Sequence, residues 1–304
     1  MAAYRIISFD GGGIRGILSA RLLQRLDEQR PGFLDGVDLF AGTSTGGILA
    51  LGLAFGLTPA RLVELYALRG ADIFDDSWLD DVKDLGGLSG ADYDSHKLGK
   101  LAQGVFGETT LGDLRRQVLV PAFDLDDEGA KGPVRRWKPK FFHNFPGADS
   151  DGHELVTDVI LRATAGPTYF PSYQGFVDGG VITNNPSMAA LAQAIDEGTG
   201  GQSLRDVCMM SVGTGTMSEF IEGQTLDWGY AQWAKPLVRL MVDGVMGVAE
   251  YQCLRFLGHR YLRLDPVLGR RIDIDQVERV AELLAAADAF DLGDATRWLD
   301  DQFL

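Results

Sequence analysis

The sequence predicts an α/β protein whose mostly parallel sheet is covered by helices on both faces. Three observations carry that expectation. Strand-length apolar runs alternate with segments of helical periodicity, glycine clusters sit at the joints between them, and Val207–Val212 reads as a buried strand. The composition agrees, with 304 residues, 45% of them hydrophobic and 23% charged, as in an ordinary globular chain with a sizeable core.

Tyr4–Phe9, rich in Ile and aromatics, reads as the first strand, broken by Asp10-Gly11-Gly12-Gly13. Ile14 to Arg30 places Ile17, Leu18, Leu22, Leu23 and Leu26 at helical spacing, and Pro31-Gly32 stops that helix. Val37 to Ala41 predicts a second strand and Thr45 to Phe55 a second helix, apolar nearly all round and therefore central. Thr58-Pro59 opens a helix to about Arg69, and an acidic stretch follows from Asp72 to Asp94. Val118–Phe123 and a strand marked by Phe141 and Phe142 flank a polar hairpin loop, Asp124 to Gly132. Leu155 to Ala165 is helical, Phe176-Val177 enters Asp178-Gly179-Gly180, and Asn185-Pro186 opens a helix through Ile195. Leu226 to Leu257 concentrates Trp, Tyr and Met, suited either to the core or to the wall of a pocket for an irregular apolar ligand, and the tail from Asp275 is helical.

A formal charge of −15 opposes nucleic-acid backbones at long range. No stretch reaches the length of a membrane span, and Tyr4–Phe9 follows the N-terminus without a signal-peptide core, so a soluble, cytoplasmic protein is expected. Cys208 and Cys253 stand alone as buried thiols. Asp124, Asp126 and Glu128 imitate the start of a calcium loop, but Arg135 stands where the bidentate Glu is required. Asp75, Asp76, Asp80, Asp81 and Asp84 form a solvated acidic face, and no metal is expected. Arg135, Arg136, Lys138 and Lys140 around Trp137 form a basic patch, either an exposed edge or a transient contact with a membrane surface.

Gly42-Thr43-Ser44-Thr45-Gly46 fits the G-x-S-x-G elbow between a strand and a helix, where flanking glycines give clearance and the helix end favours developing negative charge. Gly11-Gly12-Gly13-Ile14-Arg15-Gly16 offers free backbone N–H groups for an oxyanion, and also spells the G-x-G-x-x-G of a dinucleotide site with Asp35 or Asp38 downstream. Those acids lie at or before the start of the second strand rather than its end, which disfavours the nucleotide-binding oxidoreductase. Asp178 at a strand end is a candidate base, while His259 completes a rival Ser-Asp-His order. His96, His143 and His153 lack a supporting motif. A catalytically silent binding module is the third alternative.

The blocks Asp10 to Gly16, Gly42 to Gly47, Ala165-Gly166-Pro167-Thr168-Tyr169-Phe170-Pro171, and Asp178-Gly179-Gly180 followed by Asn184-Asn185-Pro186 resemble the patatin-like phospholipases. The resemblance runs from about residue 4 to about residue 217. It implies a three-layer α/β/α sandwich with its core over residues 1–217, and the helical, aromatic region over 218–304 is expected from its own composition to complete or cover the acyl pocket within the same domain. It further implies a lipid acyl hydrolase of phospholipase A or lysophospholipase type, a lipid substrate and no cofactor. Ser44 would be the nucleophile, Asp178 the base, and an acyl-enzyme the intermediate. The oxyanion hole would draw on Gly11, Gly12, Gly13 and Arg15, chiefly Gly12 and Gly13. Gly16, Gly42, Gly46, Gly179 and Gly180 would support the motifs, and His259 would be structural.

Overall fold

A computed structural model describes residues 4–74, 95–129, 134–167, 171–217, 220–223 and 225–304. The acidic run Asp75 to Asp84 and the Thr168-Tyr169-Phe170 part of the third block lie outside the described residues.

Strand β1 (Tyr4–Phe9) leads through the glycine loop into α1 (Gly16–Gln29), and β2 (Leu39–Gly42) leads through Thr43-Ser44 into α2 (Thr45–Phe55). The second strand starts two residues later than its apolar pattern suggests. Asp38 is occupied instead, its carboxylate accepting the Arg5 N–H at 2.7 Å. Helices α3 (Pro59–Phe74) and α4 (Ser95–Phe106) precede the hairpin of β3 (Gln117–Asp124) and β4 (Lys138–His143), and then come α5 (Val156–Ala163), β5 (Phe176–Asp178), α6 (Ser187–Ile195) and β6 (Val207–Val212). The C-terminal part adds β7 (Thr216–Met217), α7 (Tyr230–Leu257), β8 (Tyr261–Leu264), β9 (Val267–Leu268), α8 (Val280–Ala289) and α9 (Gly293–Trp298). Among the described residues, no helix is long and apolar enough to cross a membrane.

The main sheet runs β4-β3-β2-β1-β6-β8, with β5 also paired to β3. The four central pairings are parallel, and β4 and β5 join β3 antiparallel. Strand periodicity divides the core into two. Ile7, Phe9, Phe40, Val120 and Met210 face one cluster, shared with α1 to α5, α8 and α9. Their neighbours Ile6, Leu39, Ala41, Leu119 and Met209 face a smaller cluster under α6 and α7. The result is the expected three-layer α/β/α arrangement, mostly parallel at its centre. Strand β8, from the C-terminal region, forms the sheet's far edge.

Candidate active site

The site grows from the end of β2. Thr43 is anchored by its N–H to the Phe9 carbonyl (3.1 Å) and by its hydroxyl to the Thr183 carbonyl (2.7 Å). Ser44 then turns at φ 54, ψ −123, a conformation that L-residues adopt only when their surroundings force it. The flanking glycines make the turn possible. A Cβ at Gly42 would collide with the Gly46 carbonyl, and one at Gly46 with the Phe9 carbonyl. Ser44 therefore sits where the sheet's parallel strands end and α2 begins, at the positive end of that helix.

Asp178 reaches the same place from another direction. β2 runs beside Gln117–Leu119 of β3 and stops, and β5 takes over the same flank, pairing Ala122 with Asp178 and Asp124 with Phe176. Because β5 is antiparallel, its last residue points back toward the end of β2. A two-residue turn, Gln174 (φ 50) and Gly175 (φ 82), sets that direction, with Tyr173 and Phe176 exchanging backbone hydrogen bonds. The Asp178 N–H donates to the Ala165 carbonyl at 2.9 Å, and the Gly180 N–H donates to its carboxylate at 2.7 Å. The Ser44 hydroxyl lies within hydrogen-bonding reach of that carboxylate. Burial pushes Asp178 up to about 6, against the pull of Ser44 and the Gly180 N–H. Gly179 is required because a Cβ there would enter the Pro121 carbonyl, on the strand to which β5 is paired.

The glycine loop forms the third side. The Gly11 carbonyl accepts the Asn184 amide and the Thr214 hydroxyl, each at 3.2 Å, while the Gly11 N–H donates to the Asn184 carbonyl at 3.0 Å. The Ile14 N–H donates to the Ile274 carbonyl and the Arg15 N–H to the Gly12 carbonyl. Among the described residues, the Gly12 and Gly13 N–H groups have no internal partner, and a Cβ at either glycine would strike Thr214 or Ile274. Gly13 also takes φ 57. A Cβ at Gly16 would meet the Thr45 hydroxyl, which ties α1 to the elbow.

The patatin-like phospholipase profile matches residues 7–191, a span that includes the elbow, the glycine loop and Asp178. The putative sporulation hydrolase CotR of Bacillus subtilis is 31% identical over 293 residues, covering 88% of each chain. The chain belongs to the patatin-like phospholipase family. A cGAMP-activated phospholipase of Pseudomonas aeruginosa is likewise 31% identical, covering 86% of this chain and 78% of its own. The ExoU–SpcU complex of Pseudomonas aeruginosa contributes a fold match at TM-score 0.50 and 16% identity, spanning 99% of this chain and 52% of that one.

For this patatin-like chain, the structure sorts the residues the sequence singled out. Of the four oxyanion candidates, Gly11 and Arg15 have their N–H groups committed to carbonyls, which leaves Gly12 and Gly13. The Arg15 guanidinium reaches the Gly215 carbonyl (3.4 Å) and Met217, bracing the loop from behind. His259 is exposed just before β8, at the end of the sheet where parallel strands start, opposite the elbow. Its backbone carbonyl accepts the Trp298 indole N–H at 2.8 Å. His143 is buried facing Asp149, and His153 faces Glu154. Asp38 also lies at the end of the sheet where the parallel strands start, bonded to Arg5, which removes it from the dinucleotide reading. The basic patch is neutralised pair by pair, Arg135 with Asp126, Arg136 with Asp127, Lys138 with Asp124 and Lys140 with Asp151. The apparent calcium loop is thus a cross-braced hairpin.

Sequence reasoning missed the support beneath the loop. Arg263 of β8 grips fully buried Asp10 with both guanidinium nitrogens, at 3.0 and 2.5 Å, and also reaches Asp265 and Ser211. Asp265 in turn accepts the Gly215 N–H and the Thr216 hydroxyl. Burial pushes Asp10 up to about 6 despite Arg263. The signal was present in Tyr261-Leu262-Arg263-Leu264, an arginine inside an apolar strand, which must find a buried carboxylate.

Proposed function

We propose that the protein is a lipid acyl hydrolase of phospholipase A or lysophospholipase type, working through a Ser44–Asp178 dyad. The observation that carries this reading is the forced backbone of Ser44 with its hydroxyl against a buried carboxylate. Among the described residues, the Gly180 N–H is hydrogen-bonded to that carboxylate and the Ser44 hydroxyl is the side chain that pulls its pKa down, which supports direct action of the acid on the serine.

The chemistry follows from the geometry. An aspartate in water is a weak base, but desolvation raises Asp178 to about 6, which strengthens its pull on the serine proton while leaving it ionised at neutral pH. Ser44 Oγ attacks the ester carbonyl as its proton passes to Asp178. The N–H groups of Gly12 and Gly13 receive the developing oxyanion, each such donor contributing about 3 kcal/mol in the transition state. Collapse returns the proton to the leaving alcohol and leaves the acyl group on Ser44. Water, deprotonated by Asp178, then releases the fatty acid and restores the serine. No step calls for a cofactor.

A fluorophosphonate probe tests the assignment. Wild type is expected to be labelled and Ser44→Ala not, and a mixed lipid extract should yield free fatty acids only with wild type. Equal labelling of both proteins, or lipid products unchanged by Ser44→Ala, overturns it, and a larger activity loss in His259→Ala than in Asp178→Asn transfers the base to the histidine.

A further inference from the structure

We infer that Asn184 is a further catalytic residue, whose side-chain oxygen orients the water that attacks the acyl-enzyme. This inference rests on the Ser44–Asp178 reading. Hydrolysis of an ester formed on Ser44 needs a water placed between the acyl carbon and Asp178, which takes one of its protons. The second proton needs an acceptor of its own, because otherwise the water turns freely and its lone pair is not aimed at the carbon.

Asn184 is pinned beside both members of the dyad. Its backbone carbonyl accepts the Gly11 N–H at 3.0 Å, and the carbonyl of Thr183 accepts the hydroxyl of Thr43, the residue before Ser44. The side-chain Nδ2 donates to the Gly11 carbonyl at 3.2 Å and to Met246 Sδ at 3.0 Å, which turns Oδ1 the other way. Among the described residues, no group donates to that oxygen. Two glycines show where it points. A Cβ at Gly11 would strike Asn184 Oδ1 and lie 3.3 Å from Ser44 Cβ, and a Cβ at Gly180 would lie 3.2 Å from Asn184 Oδ1 and 3.2 Å from Asp178 Oδ1. One amide oxygen thus borders the nucleophile across the first glycine and the base across the second.

The neighbouring asparagine has no such opening. Asn185 is fully buried, and its Oδ1 accepts the Ser187 N–H at 3.0 Å at the start of α6, whereas Asn184 is half-buried. A neutral acceptor also suits the place, since a second carboxylate there would repel Asp178 and push it further above about 6. In the step itself the water oxygen bonds to the acyl carbon as one proton passes to Asp178. The bond from that carbon to Ser44 Oγ then breaks, and Oγ takes the proton back. The remaining water proton, held by Asn184 Oδ1, leaves on the carboxylic acid product. Acylation consumes no water, so the amide oxygen acts only in the second half of the cycle.

The test separates the two half-reactions of a p-nitrophenyl ester in wild type, Asn184→Ala and Gly180→Ala. Acylation is read as p-nitrophenol release with enzyme in excess, and deacylation as decay of the acylated protein by intact-mass spectrometry. Asn184→Ala should slow deacylation about 10- to 100-fold and acylation by less than about threefold, so that the acyl-enzyme accumulates. Gly180→Ala puts a methyl group between the two oxygens without removing the Asn184 anchor on Gly11, and should show the same split. Loss of loop support alone would slow both steps together, because both use the Gly12 and Gly13 donors. Equal slowing of the two steps, or unchanged deacylation, therefore overturns the assignment. If Asn184→Ala does not fold, Gly180→Ala decides by the same criterion. If neither wild type nor variant forms an adduct on Ser44, the hydrolase reading fails and this assignment falls with it, whereas adducts that form and decay alike in all three proteins overturn the assignment alone.

Discussion

The Ser44 end of the sheet and helix α7 are built on opposite principles. At the Ser44 end, a strained serine, two carboxylates pushed up to about 6 and three glycine turns are held by contacts from segments far apart in the chain. Asp10 is held by Arg263, Gly11 by Asn184 and Thr214, and Ile14 by Ile274. Helix α7 is 28 residues long, yet among its residues whose burial is described only Ala249, Cys253 and Leu257 are buried, while Met241 is 61% and Val248 55% exposed. The contrast teaches that costly local structure persists where many segments share the cost of holding it, and that apolar composition alone does not bury a helix.

Mutation can break the contrast. Its largest expected effect is on Ser44→Ala, which should lower kcat/KM for ester hydrolysis by about 10³-fold or more with the fold retained, measured by steady-state kinetics beside a circular dichroism spectrum. Residual activity within tenfold of wild type would remove the functional reason for the strained turn. Next comes Arg263→Leu. It leaves Asp10 buried without its partner and should cost about 3–5 kcal/mol in urea unfolding. A loss below about 1 kcal/mol would show that the loop does not depend on that pair.

Asp178 gives a smaller, pH-dependent effect. Its folded pKa, about 6, lies above the ordinary 3.8 of an unfolded aspartate, so folding favours the protonated form. That contribution, about 3 kcal/mol, is fully present below pH ~4 and is lost as pH rises through 6. Asp10 titrates in the same direction. Hydrolysis should run the other way, with kcat/KM rising to a plateau above pH ~6 as Asp178 ionises. Unfolding at pH 4 and pH 7 should show a shallower decline in Asp178→Asn than in wild type, and equal slopes would contradict the buried state assigned to this carboxyl. The smallest effect is expected on α7, where Val248→Ser should change unfolding stability by no more than about 0.5 kcal/mol. A loss of several kcal/mol would mean that this face is covered in solution.

Local rules made much of the site legible. G-x-S-x-G between a strand and a helix located Ser44 because the glycines are demanded close beside it, by the Gly42–Gly46 approach. Asp178-Gly179-Gly180 was visible as an acid at a strand end, but not its pairing partner. An antiparallel strand of three residues carries no periodicity that distinguishes it from a parallel one, and β5's placement on the free flank of β3 depends on where β2 stops. The same limit applied to the glycine loop. Its sequence offers several N–H groups, and which remain free was settled by the carbonyls of Asn184, Ile274 and Gly12. For α7 the composition suggested core or pocket, whereas burial depends on what packs opposite.

Short-range chain chemistry was enough to specify the alternation of strands and helices, the elbow around Ser44, the loop at Gly11 to Gly16 and the family to which the chain belongs. Each is encoded by neighbours within a few residues, where backbone sterics and side-chain periodicity act. The assembled fold was needed to establish that Arg263 neutralises Asp10, 253 positions away, that His259 lies at the wrong end of the sheet, and that Gly12 and Gly13 keep their N–H groups. Those outcomes depend on which distant groups share a desolvated space, and charge pairing, hydrogen-bond satisfaction and burial are properties of that space rather than of the local chain.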